Sequence, residues 1–65
     1  MSPSARGARV TGFDARLQRH SRYANPYSDL IDTAVAEGRK PGWLYQLQAA
    51  WWLGWHQADE MCATA

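Results

Sequence analysis

Apolar residues recur at helical spacing along three stretches of this chain, and nowhere in the two-residue alternation of a strand. The last stretch has the strongest pattern. It holds all four tryptophans, Trp43, Trp51, Trp52 and Trp55, among Leu44, Leu47, Leu53 and Ala58. At ~100° per residue, Trp43, Leu44, Leu47, Trp51, Gly54, Trp55, Ala58, Met61 and Cys62 share one broad face, while Trp52 points away with Tyr45 and His56. The spacing predicts a helix over residues 41–62 opened by Pro41. Ala49 and Ala50 favour it, and Gly54 weakens it unless a neighbouring backbone or ring packs closely there.

Two shorter helices precede it. The first is expected over residues 4–20, with Val10, Phe13 and Leu17 within ~60° of one another and Arg9, Arg16 and Arg19 on a separate arc. Gly7 and Gly12 each cost this helix roughly 1 kcal/mol relative to alanine, so it should depend on packing or a ligand. The second is expected over residues 26–37. Asn25 can cap its exposed amides, Pro26 suits a first helical position, Asp29 complements the positive end of the dipole, and Gly38 stops it. Tyr27, Leu30, Ile31, Ala34 and Val35 fall on one side. The expected fold is all-α: a small two- to three-helix bundle organised on the long, tryptophan-rich C-terminal helix. It forms one domain over residues 1–65, with 1–5 and 63–65 disordered.

Size sharpens this picture. Sixty-five residues lie near the lower limit for folding without a disulfide or metal. About ten inward-facing large side chains, at ~1.5–3 kcal/mol each, roughly balance the entropy of ordering the chain. A partner or a second copy, making a homodimer, is expected to supply the rest. Cys62 is the sole cysteine and His20 and His56 are the only histidines, so there is neither an internal disulfide nor a zinc-ligand pattern. No cofactor or metal is expected. No run approaches the ~20 apolar residues of a membrane span, and no apolar stretch follows the basic N-terminus as in a secretory leader. A reducing, cytoplasmic setting fits best.

The net charge of +1 conceals an uneven distribution. Residues 1–25 carry Arg6, Arg9, Arg16, Arg19 and Arg22 against Asp14, a balance of +4. Residues 26–65 carry Arg39 and Lys40 against Asp29, Asp32, Glu37, Asp59 and Glu60, a balance of −3. Arginine, used in residues 1–25 to the exclusion of lysine, suits bidentate contacts with phosphate or carboxylate. Arg9, Arg16, Arg19 and Arg22 are therefore the candidate RNA- or phosphate-binding residues, with Tyr23 or Tyr27 available to stack on a base. The other reading is a solvated helix face. Tyr45, Trp52 and His56, at spacings of seven and four, form a candidate partner-binding stripe. Alternatively the second helix covers that stripe through Leu30, Ile31 and Val35, which makes Trp52 part of the core.

Signs of catalysis are thin. Residues 37–42 combine glycines with two cations but lack the spacing, trailing hydroxyl and preceding strand of a phosphate-binding loop. Asp29 and Asp32 read better as a helix-start acid and a surface acid than as metal ligands. His56 has neither an acid nor a nucleophile at useful spacing, and no catalytic residue is assigned.

Asn25-Pro26-Tyr27 downstream of a Gly/Arg-rich helix, together with Trp52, Gly54, Trp55 and Ala58 near the end, resembles the ribosome modulation factor and CrpP family of small bacterial proteins. Gly7 and Gly12 match the glycine pair of that family's first helix. The spacer between the Pro-Tyr turn and the tryptophan motif is longer here, and the C-terminal part is acidic where ribosome modulation factor is basic throughout. The resemblance implies a small helical regulator of translation that docks on the ribosome, another ribonucleoprotein or a protein complex. Its CrpP branch implies an alternative, ATP-dependent modification of fluoroquinolones as an antibiotic-resistance activity. A third reading, from size and charge, is a phage or mobile-element inhibitor such as an anti-CRISPR.

Overall fold

The computed structural model describes residues 4–63 and is all-α. Helix α1 spans Ala5–Leu17, a single 3-10 turn covers Arg22–Ala24, α2 spans Pro26–Ala36 and α3 spans Gly42–Ala63. The starts of α1 and α2 have local causes. Ser4 accepts the Gly7 N–H through its hydroxyl at 3.1 Å, and Asn25 accepts the Tyr27 N–H through Oδ1 at 3.0 Å with Pro26 at the first helical position. Residues 4, 5 and 63, expected to be loose, thus cap α1, open it and close α3. The remainder of both expected loose segments lies outside the described residues.

Helices α1 and α2 end in the same way. After α1, the Arg19 N–H reaches the Arg16 carbonyl and the His20 N–H reaches the Ala15 carbonyl, both at 2.9 Å. After α2, Gly38 and Arg39 repeat the pattern on Val35 and Ala34. This Schellman arrangement requires a left-handed residue just past the cap. Gly38 supplies it at φ 76°, but the residue at the matching position of α1 is Arg19, at φ 66°. Helix α1 therefore stops three residues before the expected end, at Leu17.

Helix α3 is the spine on which the other two are arranged. Gly12 abuts Trp51, Gly54 abuts Arg9 and Phe13, and Arg16 reaches Asp59, so α1 runs parallel to the C-terminal part of α3. The chain then turns back along the spine. His20 meets Trp55, Arg22 meets Trp52, and Asn25 and Ser28 meet Gln48. Helix α2 continues antiparallel over the N-terminal part, placing Ile31 and Ala34 in one core with Leu44 and Leu47. Laid end to end on one spine, α1 and α2 give an elongated body of 44 × 21 × 15 Å.

The core is small: Ala8, Ile31, Ala34, Leu44, Leu47, Trp51 and Ala58, with Trp51 as its one large, fully buried side chain. Leu44, Leu47, Trp51, Gly54 and Ala58 form the buried face of α3, as the helical spacing predicts. Trp43, Met61 and Cys62, assigned to that face, are exposed at its margin. In α1 the largest apolar side chains are not the buried ones. Its buried residues are Ala8 and Gly12, while Val10 and Leu17 are half exposed.

The reason is the closeness of the crossing. A Cβ on Gly12 would overlap the Trp51 carbonyl, with that carbonyl carbon 2.7 Å away. A Cβ on Gly54 would overlap the Arg9 carbonyl in the same manner, again 2.7 Å from its carbon. Each glycine instead directs a Cα hydrogen at the other helix's carbonyl, a reciprocal pair of weak C–H···O contacts. Backbones this close leave no room for Val, Phe or Leu between them, so the interface selects Ala8, Gly12, Gly54 and Ala58.

A candidate docking groove on the aromatic flank of α3

The close crossing of α1 and α3 brings the end of α1 beside the two tryptophans next to Trp51. Trp55 donates its indole N–H to the His20 carbonyl and Trp52 donates its own to the Arg22 carbonyl, both at 2.8 Å. These bonds bridge 35 and 30 residues of sequence and staple the α1–α2 connection to α3. Asn25, 3 % exposed, extends the staple: Oδ1 caps α2 and Nδ2 donates to the Gln48 carbonyl at 3.0 Å. A buried asparagine with both ends satisfied fixes where α2 starts relative to α3.

The stapled segment and α3 enclose a groove of about 320 Å³ lined by Arg22, Tyr23, Trp52 and His56. Arg22 lies over the Tyr23 ring at 4.9 Å and donates to its hydroxyl at 2.8 Å. Tyr23 is 79 % exposed. The site thus offers flat aromatic surface, a guanidinium held in place and an imidazole, all open to solvent. Such a surface suits a stacked planar group carrying negative charge.

The structure distributes the candidate site residues unevenly. Trp52 and His56 share the groove with Arg22. Tyr45 is half exposed on α3 and is not among the lining residues; it lies two turns towards the N-terminus, beyond Gln48. Trp52 is half buried and packs against the core, its indole N–H held by the connecting segment, whereas Leu30 and Val35 of α2 are exposed. Arg9 and Arg19 are exposed. Arg16 differs. Its Nε donates to Asp59 Oδ1 at 2.8 Å and its guanidinium lies over the Trp55 ring at 5.7 Å. The Asp59 hydrogen bond raises the Arg16 pKa above its already high ordinary value.

Tyr23 is the groove residue that helix-face reasoning undervalued. It sits in a 3-10 turn capped by the Ser21 hydroxyl, and the indole bonds of Trp52 and Trp55 fasten that turn to α3. Tyr27, the other stacking candidate, packs against the core. The basic turn at 37–42 is occupied locally: Arg39 donates to Glu37 at 2.9 Å, and Gly38 closes α2. Among the described residues no three His, Cys, Asp or Glu side chains converge on a metal position, and no helix is long and apolar enough to cross a membrane. Comparisons with protein-family models, with curated proteins and with solved structures each return no match.

Proposed function

We propose that this chain is a small regulatory binding protein of the ribosome modulation factor type, docking on a ribonucleoprotein through Arg19 and the Arg22–Tyr23–Trp52–His56 groove; Arg9 lies on the other flank of the α1/α3 seam and takes no part. The observation that carries this reading is the stapled groove itself. Two indole hydrogen bonds hold an exposed cation–aromatic pair against α3; Trp52 and Trp55 pack against the core, but Arg22 and Tyr23 stay outside it. Arg19 supports it independently. A left-handed position favours glycine, and holding arginine there costs on the order of 1 kcal/mol. A side chain kept at such a cost fits a contact made by its guanidinium.

The resemblance gains a physical content on this reading. Gly12 and Gly54 are the two faces of the helix crossing, Asn25 ties α2 to α3, and Trp52 and Trp55 staple the connection. These five residues are joined in one scaffold, while Gly7, the other matching glycine, is exposed, and a Cβ there would meet only the Ser4 hydroxyl.

Co-sedimentation with ribosomes at low salt tests the proposal. Arg22 contributes only its backbone carbonyl to the staple, so Arg22→Glu should preserve the fold, checked by circular dichroism. Its affinity should fall at least tenfold, and combination with Arg19→Glu should reduce it further. Failure of the wild-type chain to sediment with ribosomes or their subunits rejects the reading.

A further inference from the structure

The groove beside Trp52 constrains its occupant more tightly than docking alone requires. Tyr23, Trp52 and His56 line it with rings, and the remaining lining residue is Arg22. The polar ends of two of those rings are engaged within the protein. The Trp52 indole N–H donates to the Arg22 carbonyl, and the Tyr23 hydroxyl accepts from the Arg22 guanidinium. What these two rings leave to a ligand is chiefly their faces. The volume of about 320 Å³ lies at the lower end of the range for small-ligand sites, roughly 300–1,000 Å³, which is room for one planar group and its substituents.

Charge selects among planar groups. No acid lines the groove, and residues 15–28 carry Arg16, Arg19 and Arg22 with no Asp or Glu among them. On α3, Asp59 is held by Arg16, and Glu60 lines the opposite flank of the α1/α3 seam. We propose that the groove takes one unpaired nucleotide of single-stranded RNA, its base stacked on the aromatic surface and its phosphate on the Arg22 guanidinium, with little preference among the bases. This assignment rests on the ribonucleoprotein reading and fixes which part of the RNA is gripped. Stacking needs a free base face, which a double helix keeps inside its own stack. It tolerates any base because every base has a π-face. Selecting one base takes several directed hydrogen bonds to its edge, and the Trp52 and Tyr23 groups that could help supply them are already bonded.

Fluorescence anisotropy of the full chain at low salt, with labelled RNAs of about eight nucleotides, tests the assignment. Oligo(A), oligo(U) and oligo(C) should bind within a few-fold of one another, and a blunt hairpin stem at least tenfold more weakly. Tyr23 is 79 % exposed, so its side chain can be exchanged without disturbing the core. Tyr23→Leu should lose at least tenfold in affinity with helicity unchanged, whereas Tyr23→Phe, which keeps the ring face, should stay within a few-fold of wild type. Stem binding equal to single-strand binding, selection of one base by more than tenfold, or wild-type affinity in Tyr23→Leu overturns the assignment. A chain that sediments with ribosomes but ignores the oligonucleotides, or whose groove takes a proline-rich peptide in their place, overturns it and leaves the docking reading standing. Tyr23-dependent oligonucleotide binding without ribosome sedimentation supports it and rejects the docking reading.

Discussion

Replacing Gly54 with alanine separates local helix preference from tertiary contact, because the two predict opposite signs. In an exposed helix interior, Gly→Ala gains about 1 kcal/mol. At Gly54 the new methyl would sit 2.7 Å from the Arg9 carbonyl carbon and 3.0 Å from the Phe13 nitrogen, against an ordinary separation of about 3.5–4.0 Å. Both neighbours are backbone, so no rotamer change relieves the overlap, and α1 must move away by the better part of an ångström. That movement opens the packing of Ala8 and Trp51, both almost fully buried. Overpacking of this kind costs about 1–3 kcal/mol and occasionally more, and a backbone clash belongs at the upper end. After the propensity gain, a net loss of about 2 kcal/mol remains. For a domain of this size, that corresponds to a fall in Tm of about 8–16 °C. Gly12→Ala should behave alike, because its methyl meets the Trp51 carbonyl. Gly42→Ala is the control, with open space around the new methyl, and should be neutral or slightly stabilising. Urea titration followed by tryptophan fluorescence reads all three. If Gly54→Ala and Gly12→Ala stabilise the protein as Gly42→Ala does, the close crossing does not exist and the topology built on it fails.

Other residues make equally direct claims. Asn25→Asp keeps the cap on α2 but turns a carboxylate towards the Gln48 carbonyl, and should cost about 2 kcal/mol at neutral pH. Burial beside that carbonyl would raise the new carboxyl's folded pKa, so the penalty is full above that value and disappears below its unfolded value of about 3.9; melting temperatures from pH 3 to 7 test the sign. Arg19→Gly relieves the left-handed strain and should raise stability by about 0.5–1 kcal/mol while weakening ribosome binding, and a rise in both would remove Arg19 from the docking site. Trp52→Phe leaves the Arg22 carbonyl without its indole donor and should cost about 1 kcal/mol, with faster hydrogen exchange at residues 21–24 as the specific readout.

The sequence made some elements readable because their causes are local. Asn25-Pro26 announces α2, Gly38 its end, and the period of Leu44, Leu47, Trp51, Gly54 and Ala58 the buried face of α3. Gly54 also announced a close approach, and the neighbour is a backbone. The inward face of α1 was hidden because size does not track burial there: Val10, Phe13 and Leu17 outweigh Ala8 and Gly12 in any apolar pattern, yet only small residues fit the crossing. The end of α1 was misplaced because its left-handed residue is an arginine. The groove was only half legible. Trp52 and His56 stand on one helix and can be aligned by counting, but Arg22 and Tyr23 join them through hydrogen bonds spanning dozens of residues. Pairing of Arg16 with Asp59, 43 positions apart, is long-range for the same reason.

The salt dependence of ribosome binding addresses the docking proposal most directly. Arg19 and Arg22 engaging phosphates, with Arg16 held by Asp59, predict a slope of log K against log salt of about −1.4 to −1.8, at roughly −0.7 to −0.9 per phosphate. Arg22→Glu should make that slope shallower by about one. A slope near zero, or one that Arg22→Glu leaves unchanged, contradicts the account.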